Sequence, residues 1–160
     1  MTTSEDRPEI EVVRKEFAME RYRYILQQIH AVNENGYRFL AIYQTLATTL
    51  VGASLALFVG YRRWGVDPAT ARGGVIGLLA LTTVVAAFTM TQIVVGAFAW
   101  LDYRNEECDI TDEMVAPGFR KRPHPGNLFR WYETYVLLFI IISMIVMWSL
   151  AGFFVLPRIR

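Results

Sequence analysis

The chain has 160 residues, 54% of them hydrophobic, and its 16 Lys and Arg nearly balance its 15 Asp and Glu. Every one of those charged side chains lies outside residues 39–61, 73–101 and 135–157, which also lack His, and this excludes a water-solvated fold, whose elements must each turn some face to water. The single cysteine, Cys108, excludes an internal disulfide.

Charge-free runs of this length fit spans of ~20 residues across a hydrocarbon core of ~30 Å. They are continuously apolar, whereas barrel strands alternate apolar and polar residues over ~10-residue pieces. The expected fold class is therefore an all-α integral membrane protein. Three transmembrane helices are preceded by an amphipathic cytoplasmic helix, and the whole is oligomeric.

Residues 1–38 carry seven acids and six bases. Their polar, acidic start lacks a basic n-region, so no cleavable signal peptide is expected. Pro8, behind Ser4, Glu5 and Asp6, marks a helix start, because the missing donor of proline is tolerated in a first turn. Ile10, Val13, Phe17, Tyr24 and Ile25 then recur at roughly helical spacing, with Glu11 and Lys15 on a polar side. Residues 33–36 read either as a turn or as a weak spot in one helix that continues with a kink into the first span; an isolated glycine costs only ~1 kcal/mol there, which favours continuity.

The first span, residues 39–61, ends on Tyr61, Arg62, Arg63 and Trp64, an interfacial anchor of rings and snorkelling guanidinium groups. Residues 65–72 are expected to form a turn. The second run, residues 73–101, is longer than a bilayer needs, so it tilts or protrudes. Its polar continuation from Asp102 to Glu107 keeps helical composition. A loop over residues 108–127 follows, punctuated by Pro117, Gly118, Pro123, Pro125 and Gly126, so that 102–134 forms a helix extension and a basic loop. Trp131 and Tyr132 lead into the third span, residues 135–157.

Orientation follows from Lys and Arg alone. Eleven lie in the N-terminal segment and the second connection; five lie in the first connection and the C-terminus. This bias predicts an N-terminus in the cytoplasm and a C-terminus outside, in a multi-pass membrane protein.

The first span carries a small-and-polar ladder at four-residue steps, Gln44, Thr48, Gly52, Ala56 and Gly60. Small residues let helices approach in lipid, and hydroxyls or amides hydrogen-bond across the contact. The ladder either packs against the second span or lines an aqueous path in an oligomer. The second span repeats the pattern with Thr82, Ala86, Thr89, Gln92 and Gly96, while the third is almost purely aliphatic and reads as lipid-facing. Three small helices cannot enclose a water-filled lumen, so a conduit requires several copies, a homo-oligomer such as a tetramer.

The second connection is split by charge. Six acids and one Arg fall within 102–113, whereas Arg120, Lys121, Arg122, His124 and Arg130 stand without an acid in 119–130. Such a cluster contacts lipid headgroups, at ~1 kcal/mol per base, or binds a phosphate-rich ligand such as a nucleotide or oligonucleotide, with Phe119, Phe129 and Trp131 as stacking planes. Both histidines, His30 and His124, lie outside the spans, so no membrane-embedded bis-His haem can form. Metal-ligand spacing, a phosphate-binding glycine loop and an intramembrane nucleophile are all lacking. No cofactor, no metal site and no catalytic residue are expected, and an enzyme is not.

A charged helix, ERYRYILQQIH, is followed by a Thr-rich first span and a second span running into LDYRNEE. Over roughly residues 10–107 this architecture resembles the SLATT-type small transmembrane effectors of bacterial anti-phage defence; a third span goes beyond that family's usual pair. The resemblance implies a homo-oligomer that perturbs the membrane when a nucleotide signal changes, and so a partnership with that signal or with the enzyme that makes it. The expected function is a channel or pore-forming effector. The alternative is a non-catalytic accessory subunit that recruits a partner protein.

Overall fold

The computed structural model describes residues 6–124, 126 and 131–160. Three long helices, α1 (Asp6–Gly60), α2 (Pro68–Met114) and α3 (Tyr132–Leu150), account for most of them. Each is long and apolar enough to cross a membrane, the make-up of a multi-pass membrane protein. At 55 and 47 residues, α1 and α2 far exceed the ~20 that a span requires.

Helix α1 runs without interruption through Asn33, Glu34, Asn35 and Gly36. Its end is set by Gly65, whose φ of 67° suits a residue without Cβ. The Val66 N–H donates to the Tyr61 carbonyl at 2.9 Å and the Gly65 N–H to the Arg62 carbonyl at 3.4 Å, the paired bonds of a Schellman motif. The connection is shorter than the expected 65–72. Asp67 caps α2 directly, its Oδ1 accepting from the N–H of Ala69 at 2.8 Å and of Thr70 at 3.2 Å, and Pro68 takes the first helical position, where no donor is needed.

The expected loop over 108–127 is also too long, because α2 continues to Met114. Nothing before Pro117 breaks a helix; of the acidic residues in question, Glu113 pairs with Arg14 of α1, and Asp109 and Asp112 pair with Arg122 of the segment that follows α2. Past Leu150, α3 widens into a π-turn over Ala151–Val155 and then tightens into a 3-10 turn over Leu156–Arg158. Pro157 supplies the reason: it lacks an N–H, and its ring crowds the carbonyl four residues back.

The chain divides into two compact units, one built from residues 1–35 and 95–127, the other from 36–94 and 128–160. In the second unit, α2 is the middle helix. One cluster joins Tyr61 just after α1, Ala71, Val75 and Leu79 of α2, and Ala151 and Ile159 after α3; another joins Tyr43, Ala86, Ile93 and Ile140. Helix α2 packs tightly on α1 at Gly74, where a Cβ would lie 2.6 Å from the Leu57 Cδ2. The Trp148 indole donates to the Thr83 hydroxyl at 3.0 Å, tying α3 to α2.

The first unit pairs the N-terminal part of α1 with the end of α2. Ion pairs Arg14–Glu113 and Arg21–Glu106 (2.6 Å) lie seven residues apart on both helices and in opposite order, an antiparallel heptad register. Ile25 is fully buried, but Ile10, Val13, Phe17 and Tyr24 are exposed, so the apolar stripe expected on this helix is not a packed face within the unit.

Candidate functional site

Two regions carry the polar residues singled out from the sequence, one in each unit. Within the membrane-spanning unit, the two polar ladders have different fates. On α2, Thr82 and Thr89 are buried, and Ala86 is fully so. Their hydroxyls donate to the carbonyls of Leu78 at 2.8 Å and Val85 at 2.9 Å, four residues back in the same helix. A threonine satisfied in this way needs no water and no partner helix. Gln92 is half-buried; Gly96, which falls in the other unit, is half-buried too, and a Cβ there would meet Val32 Cγ1 at an ordinary 3.9 Å. The second-span ladder thus faces the interior of the chain.

The first-span ladder does not. Gln44, Thr48, Gly52 and Ala56 are exposed, and a Cβ at Gly52 would meet nothing within 4 Å. The face of α1 that packs against its neighbours is the adjacent one, carrying Tyr43 and Ser54, with Tyr61 just after the helix. The part of the ladder from Gln44 to Ala56 therefore does not pack against the second span, whereas its last member, Gly60, is buried beside the Trp64 ring. Gln44, Thr48 and Gly52 line one wall of a cleft of about 720 Å³; Ser143 and Met147 of α3 line the other, and Leu79 and Thr82 of α2 form its floor. Thr45 and Thr49, beside the ladder, return their hydrogens to the carbonyls of Ala41 and Thr45. The longer amide of Gln44 has no hydrogen-bond partner among the described residues. In hydrocarbon such a group costs several kcal/mol, of order 2–7 on transfer scales, unless a partner or water reaches it.

In the other unit, the residues after α2 fold back on it. Ala116, Pro117, Gly118 and Phe119 form a type II turn. The Phe119 N–H donates to the Ala116 carbonyl at 3.1 Å, proline takes the first central position and Gly118 the second, with φ 77°. Asp112 Oδ1 accepts the Gly118 N–H at 2.8 Å and pins the turn to the helix. This returns Arg120 and Arg122 to the acidic end of α2. Arg120 Nε lies 3.4 Å from the carboxylate of Glu107, which is fully buried and also pairs with Arg104 and accepts from the Tyr22 hydroxyl at 3.4 Å. A hydrogen bond with the Tyr22 side chain and then the charge of Glu107 raise the pKa of Arg120 above its ordinary value. Arg122 reaches Asp109 at 2.5 Å and Asp112 Oδ2 at 3.6 Å.

The basic cluster expected to meet a ligand as one block is therefore subdivided. Two of its guanidinium groups are neutralised by the chain's own acids within one subunit. Lys121 and His124 are exposed, the latter accepting the Gly126 N–H on Nδ1 at 3.1 Å, and Arg130 lies outside the described residues. Glu107 was not singled out from the sequence. Its only signal was its place in a run of acids, where nothing distinguishes a buried carboxylate from its solvated neighbours. No protein-family model, no curated protein and no solved structure matches the chain.

Proposed function

We propose that the chain is a homo-oligomeric channel or pore-forming effector of a bacterial inner membrane, with its N-terminus in the cytoplasm. The observation that carries this reading is the polar face of α1, in which Gln44, Thr48, Gly52 and Ala56 are exposed and the Gln44 amide finds no bond among the described residues. Several copies that bring these faces together around an axis would give the amide water or a neighbouring amide, and would let helices close on one another at Gly52. The α2 hydroxyls are spent inside the helix, so α1 alone supplies the wall. The charged unit holding the basic segment then acts as the gate or sensor for a phosphate-rich signal, a nucleotide or oligonucleotide, in keeping with the resemblance to SLATT-type defence effectors.

The test is conductance of the purified protein in planar bilayers. Gln44→Leu lowers single-channel conductance severalfold while the assembly keeps its size in detergent. Loss of assembly with unchanged conductance per channel would assign Gln44 to helix packing and remove it from the path.

A second reading, a non-conducting subunit that recruits a partner protein, is favoured by a different observation. Phe17 is 72% exposed and lines a groove of about 290 Å³ with Ile110 and Met114, flanked by the Arg14–Glu113 and Arg21–Glu106 pairs. A wild-type protein that carries no current, with or without nucleotides, selects this reading.

A further inference from the structure

Arg120 and Arg122 sit two residues apart on the same returning segment, yet they are held in opposite ways. The partner of Arg120 is Glu107, whose side chain is 0% exposed and which Arg104 and Tyr22 also hold. Removing a partner from a buried carboxylate leaves a charge that water cannot reach, so this pair resists exchange. Arg122 and Asp109 are 59% and 61% exposed. Water and salt screen such a pair, and it contributes little to holding the segment.

We propose that Arg122, with Lys121 beside it in the chain, is a binding site for a phosphate-bearing anion, and that the acidic end of α2 occupies this site in cis. The anion binds by displacing Asp109 and Asp112 from Arg122, while Arg120 stays on Glu107 as the anchor of the segment. The inference rests on the reading of the basic segment as a sensor and assigns its residues separate roles.

Three features make the exchange feasible. A phosphate group carries up to about two negative charges and three acceptor oxygens, so it outcompetes a single carboxylate for the planar fork of an arginine. Lys121 is exposed and has no ion pair among the described residues, which leaves a second positive charge to be matched. Asp112 holds the turn and the arginine with different oxygens, Oδ1 on the Gly118 N–H and Oδ2 toward Arg122, so the turn persists when Arg122 leaves. Bound anion removes the clasp but not the anchor. The amides of residues 120–122, beyond the turn, then exchange faster while those of Gly118, Phe119 and α2 keep their protection.

A phosphate of this kind comes from solution or from a lipid headgroup, and the experiment separates the two. The full chain is placed in nanodiscs of phosphatidylcholine and titrated with pyrophosphate, or placed in nanodiscs containing phosphatidic acid without added pyrophosphate. Binding is followed by calorimetry, and hydrogen exchange is followed over residues 115–124. Wild-type protein binds pyrophosphate in a salt-dependent manner. Asp109→Asn with Asp112→Asn tightens binding about tenfold or more and mimics the faster exchange, and Arg122→Gln abolishes binding in either background. A change in exchange only in the phosphatidic acid discs supports the site with a headgroup as its source. Equal pyrophosphate affinity for wild type and the double variant overturns occupation in cis and leaves the sensor reading standing. Absence of any response to either phosphate source, in wild type and double variant alike, overturns both.

Discussion

Polar side chains at membrane depth divide by length. Ser54, Thr82 and Thr89 are short enough to return their hydrogens to a carbonyl four residues back, at 2.8–3.0 Å, and each is buried without a partner from another helix. The amide of Gln44 carries two donors and an acceptor and finds no partner among the described residues, so one glutamine says more about assembly than several threonines do. Outside the spans, Asp67 shows what a single cap contributes. The Thr70 side chain and the backbone N–H groups of Thr70 and Ala69 hydrogen-bond its carboxylate and lower its pKa from the ordinary 3.8. A depressed pKa in the folded state means that the cap's ionic contribution is fully present above the unfolded value and is lost as pH falls through the folded one. Asp67→Asn keeps an acceptor but removes the charge. Its melting temperature lies below that of wild type near neutral pH, and the two converge well below pH 3.8. A gap that stays constant with pH would assign the cap's effect to shape alone.

Glycines separate contact within the chain from contact between chains. A Cβ at Gly74 would lie 2.6 Å from Leu57, whereas one at Gly52 would meet nothing. Gly74→Leu therefore overpacks α1 against α2 and lowers the stability of the single chain by ~1–3 kcal/mol, seen as a fall in the melting temperature of the detergent-solubilised protein. Gly52→Leu leaves that temperature unchanged and reduces the size of the assembly. The opposite pattern would place the subunit contact elsewhere. The three apolar helices were legible in the sequence because an unbroken apolar run admits few alternatives, and so was the continuity of α1 through Gly36. Which ladder packs inward was not legible. Residue periodicity shows that a face is small and polar but not what stands opposite it, and the inward face of α1 proved to be the adjacent one, with Tyr43 and Ser54. The end of α2 was missed for a related reason. Residues 108–114 stay helical beside pairings such as Arg14–Glu113, which join positions 99 residues apart in the chain. The basic segment was visible as composition, but its division into an anchored Arg120 and a releasable Arg122 depends on the burial of Glu107, which no local pattern marks.

On the scale of the whole molecule, a helix of 55 residues serves both units: its first part pairs with the charged end of α2, and its last part carries the polar face. In the proposed function, the sensor and the conducting wall would share one continuous helix, a direct route for coupling provided the signal binds the two states of the gate with different affinity. A conducting role for α1 requires that its polar face see water inside an assembly. The most direct measurement is thiol modification during current recording, in which a small charged, water-soluble thiol reagent is applied to Gly52→Cys channels in planar bilayers. Native Cys108 is fully buried, so the introduced thiol is the reactive one. If α1 lines the path, the reagent blocks most of the current through Gly52→Cys and none through Val84→Cys, which lies on the exposed side of α2. Current that flows undiminished through modified Gly52→Cys channels, or an introduced thiol that the reagent never reaches while current flows, would contradict that role.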